Sequence, residues 1–157
     1  MIVGRFCPPH LGHQYLISRA ASQVDHLVVF VNTRRTEPVP GVLRAQWLRE
    51  LHPEVEIVQV NHELETNFDD AELWERWMHL FLVHWPLDEG PDVLFSSEGY
   101  GADLARRFGA EHVVVDAERS VVPVSATMIR DDPLAHLDKL APNVAAWVER
   151  WGNTRAG

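Results

Sequence analysis

Short apolar runs alternate along the chain with longer segments in which apolar residues recur at helical spacing. The run His26–Val31 is almost continuously apolar, as expected of a strand buried on both faces. Similar runs predict further strands at Met1–Phe6, Val55–Val60, Asp92–Ser96 and His112–Asp116. Helices are predicted at Leu11–Gln23, Pro40–Leu51, Asp70–His84 and Tyr100–Phe108, and helical patterns return from Ala126 to Arg150. Strands that alternate with helices predict βαβ units and therefore a parallel sheet.

This order of elements predicts an α/β fold: a Rossmann-like, doubly wound parallel sheet of about five strands with helices on both faces. No internal repeat, low-complexity tract or linker interrupts the 157 residues, so we expect a single domain over 1–157. In such sheets ligands bind beyond the carboxyl ends of the strands, near the point where the strand order reverses. The segments after the first, fourth and fifth strands should therefore face one crevice.

Composition narrows the class of protein. The formal net charge of −9 argues against a nonspecific nucleic-acid binder. No apolar stretch approaches the ~20 residues of a membrane helix, and Met1–Phe6 is too short for a signal peptide. The single cysteine, Cys7, cannot form an internal disulfide, which favours a reducing compartment. We therefore expect a cytoplasmic protein with no nucleic-acid or membrane partner, and a homo-oligomer is left open.

The cations of the chain are almost all arginines, because Lys139 is its only lysine. Any phosphate site must therefore use arginine, histidine or backbone N–H groups.

The segment from Gly4 to His13 carries the first candidate chemistry. It runs from a strand into a helix and places His10 and His13 at the helix N-terminus, where free N–H groups and the helix dipole favour anions. Gly12 lets a ligand approach the backbone, so both imidazoles could donate to phosphate oxygens. The segment is neither a P-loop nor the dinucleotide glycine fingerprint.

A second segment, Val124–Arg130, opens a late helix. Ser125 is a good N-cap residue, which leaves neighbouring backbone N–H groups pointing outward. Thr127 adds a hydroxyl, and Arg130 lies one turn later with a guanidinium suited to phosphate. The segment is therefore a second candidate for binding phosphate.

These segments carry a family resemblance. The pattern Gly4-x-Phe6-x-Pro8-x-His10-x-Gly12-His13 resembles the His-x-Gly-His signature of the class I nucleotidylyltransferase superfamily, and 124–130 resembles its second signature. With the blocks at 95–101 and 114–119, the chain resembles the NMN (nicotinamide mononucleotide) adenylyltransferase domain of bifunctional nicotinamide-salvage proteins, and archaeal NMN adenylyltransferases more loosely. The kinase part of those proteins carries a Walker A loop, which is absent from this sequence, so kinase activity is not expected.

The resemblance implies that ATP and NMN react to give NAD and pyrophosphate, by direct in-line attack on the α-phosphorus. It implies catalytic roles for His10, His13 and Arg130. The implied ATP-binding residues are Gly4, Arg5, Phe6, Gly12, Arg119, Ser125 and Thr127. Mg²⁺ is expected to bind through the ATP phosphates, without a metal site made by protein side chains.

The acceptor pocket is predicted from Arg44, Asn67 and Trp74. An indole face suits a flat pyridinium, and an asparagine pairs with both ends of a carboxamide. We expect Trp77 to pack in the core. The segment 65–70 is acidic and holds no Arg or Lys, which predicts a preference for NMN over nicotinate mononucleotide.

Two alternatives remain at this stage. One is another transferase of the superfamily, which would adenylylate pantetheine phosphate or cytidylylate a polyol phosphate. The other is a non-catalytic module that senses ATP or NAD. The presence of both histidines and Arg130 favours an enzyme, because sensing does not need the full set of phosphate-binding groups.

Overall fold

Five parallel strands organise residues 1–156, the part of the chain that the computed structural model describes. They are β1 (Ile2–Gly4), β2 (Val28–Thr33), β3 (Glu56–Asn61), β4 (Val93–Ser96) and β5 (Glu111–Val114). β2 pairs with both β1 and β3, and β4 pairs with β5, all in parallel.

Two backbone hydrogen bonds join the two ladders. The amino group of Met1 donates to the Val93 carbonyl (2.8 Å), and the Phe95 N–H donates to the Met1 carbonyl (3.0 Å). This is the spacing of a parallel ladder. The strand order is therefore β3-β2-β1-β4-β5, and it reverses between β1 and β4.

Helices cover both faces of the sheet. The α-helices of residues 1–156 are α1 (Leu11–Ala21), α2 (Gly41–Leu51), α3 (Ala71–His84), α4 (Tyr100–Phe108), α5 (Ala126–Asp131) and α6 (Pro142–Ala156). Apolar residues of α1 and α2 pack on one face with Val29 and Val31, whereas those of α3 and α4 pack on the other with Val28 and Phe30. The predicted doubly wound α/β fold is confirmed.

A third apolar cluster holds α5 in place. Ile129 of α5 is fully buried against Val144 and Val148 of α6, and Trp47 of α2 and Cys7 belong to the same cluster. The short helix α5 is thus anchored to the turn that follows β1.

Several element ends differ from the prediction for local reasons. β1 ends at Gly4 rather than Phe6, because Phe6 has a φ of 51°. α1 ends at Ala21 rather than Gln23, because the Ser22 and Gln23 side chains both donate to the Arg19 carbonyl.

The helical region predicted from Ala126 to Arg150 is three helices. α5 is followed by a 3-10 helix, Leu134–Lys139, and by α6, which continues to Ala156. Pro133 precedes the 3-10 helix and Pro142 begins α6, where a missing N–H does least harm. None of the helices within residues 1–156 is long and apolar enough to span a bilayer.

Candidate active site

A cavity of about 900 Å³ opens where the strand order reverses. Its floor is formed by the ends of β1 and β4, at Gly4 and Ser96, as expected for this fold. Every site residue predicted above except Arg44 lines it: Gly4, Arg5, Phe6, His10, Gly12, His13, Asn67, Trp74, Arg119, Ser125, Thr127 and Arg130. The volume lies within the range of small-molecule sites, about 300–1,000 Å³.

His10 and His13 form a reciprocal cap at the start of α1. The His13 N–H donates to His10 Nδ1 (3.3 Å), and the His10 N–H donates to His13 Nδ1 (3.2 Å). The two rings stack with their centroids 3.6 Å apart. Because each Nδ1 accepts, a neutral ring carries its proton on Nε2. Each imidazole therefore has an Nε2–H donor left for a ligand.

Both histidines are held in the neutral form. Burial, and then the charge of Arg119, lower the pKa of His10 to about 3. Burial, His10 and Arg119 also lower the pKa of His13 well below its usual value. At neutral pH the pair therefore offers two fixed, uncharged N–H donors to an anion.

Close packing explains the glycines of this turn. A Cβ on Gly4 would lie 2.9 Å from the Phe6 ring, and a Cβ on Gly12 would lie 3.0 Å from the His10 ring. The Phe6 ring contacts that of His13 edge-on, with centroids 4.8 Å apart. The two glycines therefore allow the aromatic rings to fold over the backbone.

Helix α5 brings a guanidinium to the same turn. Ser125 caps α5 by accepting from the Met128 N–H (3.2 Å). Arg130 donates through Nη1 to the Cys7 carbonyl (2.6 Å) and through Nη2 to Thr127 Oγ1 (3.1 Å). Two of the five N–H donors of its guanidinium are thus used for orientation, and the others are left for a ligand.

The loop after β5 completes the side of the cavity that α1 and α5 form. The Asp116 carboxylate accepts from the N–H groups of Ser120 (2.8 Å), Val121 (3.1 Å) and Val122 (3.1 Å), which hold its pKa below the usual value. This turn presents Arg119, whose Nη1 donates to the Val124 carbonyl (2.9 Å).

Backbone strain is concentrated around this cavity. Among residues 1–156, the non-glycine residues with positive φ are Phe6, Asp116 and Arg119, and all three line it. Such conformations persist where the surrounding structure enforces them, often at functional sites.

The loop between β3 and α3 forms the opposite side. Asn67 is exposed, and its Oδ1 already accepts from the Asp69 N–H (3.1 Å). Trp74 is 6% exposed and donates to the Phe68 carbonyl, and the Arg107 guanidinium lies 4.5 Å from the centre of its ring. Trp77 packs against the core, as expected, but it is only half-buried and also lines the cavity.

The structure corrects the expectation that Arg44 contacts the acceptor. Arg44 has no exposed surface and does not line the cavity. It donates to the Arg5 carbonyl, to the Asn32 carbonyl (3.2 Å) and to the Glu37 carboxylate. Arg44 therefore supports the wall of the cavity from behind. Helical spacing could not reveal this, because it does not say which face of α2 meets the sheet.

Several lining residues were not predicted from the sequence. Asn32 lies near the end of β2, Arg34 follows β2, Glu37 precedes α2, and His62 follows β3. Their position just after apolar runs was a usable signal, since the carboxyl ends of parallel strands meet at one edge.

Within residues 1–156 no group of three His, Cys, Asp or Glu side chains is arranged to hold a metal ion.

Known proteins resemble this chain over most of its length. A cytidylyltransferase-like family model matches residues 1–132. The trifunctional NAD biosynthesis/regulator protein NadR of Escherichia coli (strain K12) is 28% identical over 169 residues, and that of Salmonella typhimurium (strain LT2) is 26% identical over 167 residues. Both alignments cover 96% of this chain but only 40% of the relative.

Two solved structures are similar over most of the fold. The crystal structure of a NadR protein in complex with NAD and AMP-PNP matches with a TM-score of 0.62 at 27% identity, covering 86% of this chain and 42% of that one. A NadR protein in complex with NR matches with a TM-score of 0.63 at 25% identity, covering 88% and 42%. Because the family model spans most of the sequence, the chain belongs to the cytidylyltransferase-like family of the nucleotidyltransferase superfamily.

Proposed function

We propose that this chain is an NMN adenylyltransferase, which transfers the adenylyl group of ATP to NMN and releases pyrophosphate. The observation that carries the proposal is that the His10–His13 pair and Arg130 face one cavity, held by contacts between α1, α5 and the turn after β1. Similar NadR structures hold NAD with AMP-PNP, or NR, which supports nucleotide ligands of this class.

In the proposed reaction an oxygen of the NMN phosphate attacks the α-phosphorus of ATP in line. The bond from the α-phosphorus to the oxygen that bridges to the β-phosphorus breaks, and pyrophosphate leaves with its electron pair. The attacking phosphate oxygen is already ionised at neutral pH, so no general base is required. Catalysis then consists of positioning and stabilisation of charge.

Each group has a role that fits its contacts. The Nε2–H donors of His10 and His13 stabilise the α-phosphate and the departing pyrophosphate. Arg130, with Ser125 and Thr127 at the start of α5, binds the β- and γ-phosphates. Neutral donors suit this role, because they bind the developing charge without holding the product as strongly as fixed cations would.

Mg²⁺ enters as part of the substrate Mg-ATP, bridging phosphate oxygens and neutralising their charge. The carboxylate of Asp116 is engaged by three backbone N–H groups, so we assign it no metal contact. The metal is accordingly held by the nucleotide and by water.

The test is to offer the purified protein Mg-ATP or Mg-CTP with a panel of acceptors, and to identify products by mass. The panel contains NMN, nicotinate mononucleotide, pantetheine phosphate and a polyol phosphate. NAD formed from ATP and NMN is the expected product. A nucleotidyl ester of a different acceptor would assign that acceptor instead, and binding without any product would indicate a sensing module.

A further inference from the structure

Asn32 lies at the end of β2, on the face of the sheet that α3 covers. Val28 and Phe30 alternate with it along the strand and pack with Trp74 and Phe81 of α3. Side chains alternate across a strand, so Asn32 continues this column at the carboxyl edge. The last side chain of this row along β2 is therefore polar, and it lies where the row reaches the cavity.

The side chain of Asn32 is incompletely satisfied. The residue is 7% exposed and lines the cavity, yet its Oδ1 is buried without a hydrogen-bond partner. Its backbone is held by the pairing of β2 with β3 and by Arg44, which donates to its carbonyl. Buried polar atoms are nearly always paired, so a rigidly held exception beside a cavity indicates a donor supplied by a ligand.

The neighbouring polar side chains on this side are less suited to accept a hydrogen bond from a ligand. Asn67 is exposed and its Oδ1 accepts from the Asp69 N–H. Arg34 donates to Glu65 (3.1 Å), and although its Nε is also buried without a hydrogen-bond partner, a guanidinium only donates and cannot accept from an amide. Asn32 is therefore the better placed of the two asparagines to recognise an acceptor.

We propose that Asn32 binds the carboxamide on the pyridinium ring of the acceptor and sets a preference for the amide over the carboxylate mononucleotide. This inference rests on the proposed function. A primary amide pairs with a carboxamide in both directions: Oδ1 accepts from the ligand NH₂ and Nδ2 donates to the ligand carbonyl. A carboxylate at neutral pH offers only acceptors, and would leave Oδ1 facing another oxygen.

Two substitutions separate recognition from folding. Asn32→Leu removes both halves of the amide and should lower kcat/KM for NMN by about tenfold or more, the value of a lost hydrogen bond. It should change kcat/KM for nicotinate mononucleotide much less, so the preference for NMN collapses. Asn32→Asp is nearly isosteric and keeps an acceptor but adds a negative charge. Because that charge repels the carboxylate of nicotinate mononucleotide, kcat/KM for nicotinate mononucleotide should fall more than kcat/KM for NMN, which widens the preference for NMN.

The matched control is Asn61→Leu, because Asn61 is an exposed asparagine at the end of the neighbouring strand and does not line this cavity. It should leave the ratio of the two kcat/KM values unchanged. The KM for ATP should stay constant in all three variants.

The ratio of the two kcat/KM values decides the inference, because a merely structural role of Asn32 would lower kcat/KM for both acceptors equally. An unchanged ratio in Asn32→Leu, or a narrowed one in Asn32→Asp, overturns the role of Asn32 while adenylyl transfer to NMN still stands. No transfer by the unsubstituted protein to either mononucleotide overturns the proposed function, and this inference with it.

Discussion

At the scale of single residues, the stacked histidines join folding and chemistry. Each Nδ1 accepts a backbone N–H at the start of α1, so the ring that orients the ligand-facing Nε2–H also caps the helix. Substitution of either histidine by alanine therefore removes both the helix cap and the Nε2–H donor. An asparagine retains an acceptor near Nδ1 and is a favoured N-cap residue, but it has no group at the position of Nε2.

This difference gives a matched pair of variants. His10→Asn should keep the thermal stability of the protein and lower kcat about 10²–10³-fold, the cost of one preorganised donor. His10→Ala should lose similar activity and, in addition, about 1 kcal/mol of stability through the cap. Steady-state rates and thermal unfolding check both effects. Near-normal kcat in His10→Asn would show that its Nε2–H does not act on the phosphates.

The depressed pKa of His10, about 3, also predicts how stability depends on pH. The usual pKa of a histidine is near 6.5. Between pH 6.5 and 3 the His10 imidazole is therefore protonated in the unfolded chain but neutral in the folded protein. The contribution of the neutral histidine to the free energy of unfolding is fully present above about pH 6.5. It is lost as the pH decreases, by up to ~1.4 kcal/mol per pH unit for each such histidine.

Urea unfolding at pH 7.5 and 5.5 measures this fall with little titration of carboxylates. His10→Asn should lose less stability than the unsubstituted protein over this interval, because it lacks that histidine. Equal losses in the two proteins would contradict the depressed pKa.

At the scale of elements, two contacts between distant segments hold the cavity together. One is the buried group formed by Glu37 and Arg44, whose side chains are 4% and 0% exposed. Burial alone would raise the pKa of Glu37, but the Arg34 N–H and the guanidiniums of Arg44 and Arg5 lower it. The carboxylate thus links the ends of β1 and β2 to the start of α2.

Removal of one partner should therefore be costly. Glu37→Gln leaves the Arg44 charge buried and unpaired, and should destabilise the protein by about 3–5 kcal/mol. Arg44→Met should cost less in the Glu37→Gln background than alone, which a double-mutant cycle from urea unfolding measures. The exposed pair Arg106–Asp103 is the control, since Arg106→Gln should cost at most about 1 kcal/mol. Similar costs for Glu37→Gln and Arg106→Gln would mean that solvent reaches the buried pair.

The second contact is Arg130, which ties α5 to the turn after β1. Lysine keeps the charge but cannot hold the Cys7 carbonyl and Thr127 Oγ1 while binding phosphate. Arg130→Lys should lower kcat/KM for ATP about tenfold or more, with little change in the KM for NMN. Initial rates with each substrate varied in turn distinguish the two effects. A change confined to NMN would place Arg130 in the acceptor half.

These elements also show what the sequence could and could not predict. Strand and helix order followed from apolar periodicity, and the cavity-lining residues at the start of α1 and in α5 followed from two segments whose spacing is local. The ends of β1 and β5 could not be predicted from the sequence, because the positive φ of Phe6 and Asp116 depends on tertiary contacts. Arg44 does not line the cavity, and Asn32, which does, was not among the predicted residues, because a polar residue at the end of an apolar run is placed along the strand but not on one of its two faces.

At the scale of the molecule, the cavity spans both halves of the sheet. The groups proposed to bind phosphate reach the cavity from α1, α5 and the loop after β5. Asn32, Asn67 and Trp74 reach it from β2, from the segment before α3 and from α3 itself. A dinucleotide product would contact both halves at once, whereas either substrate alone would contact mainly one. Ligand binding should therefore stabilise different parts of the fold to different extents.

Bound ligands should reveal this division of the cavity. NAD at about 100 times its dissociation constant should stabilise the protein by ~2.7 kcal/mol and raise Tm by about 5–10 °C. Hydrogen exchange should then slow at α5 and also in the loop between β3 and α3. NMN alone should protect that loop and leave α5 unchanged, because it lacks the adenylate that reaches the other half. Equal protection of both segments by NMN, or no shift of Tm with NAD, would show that the cavity is not shared between donor and acceptor in this way.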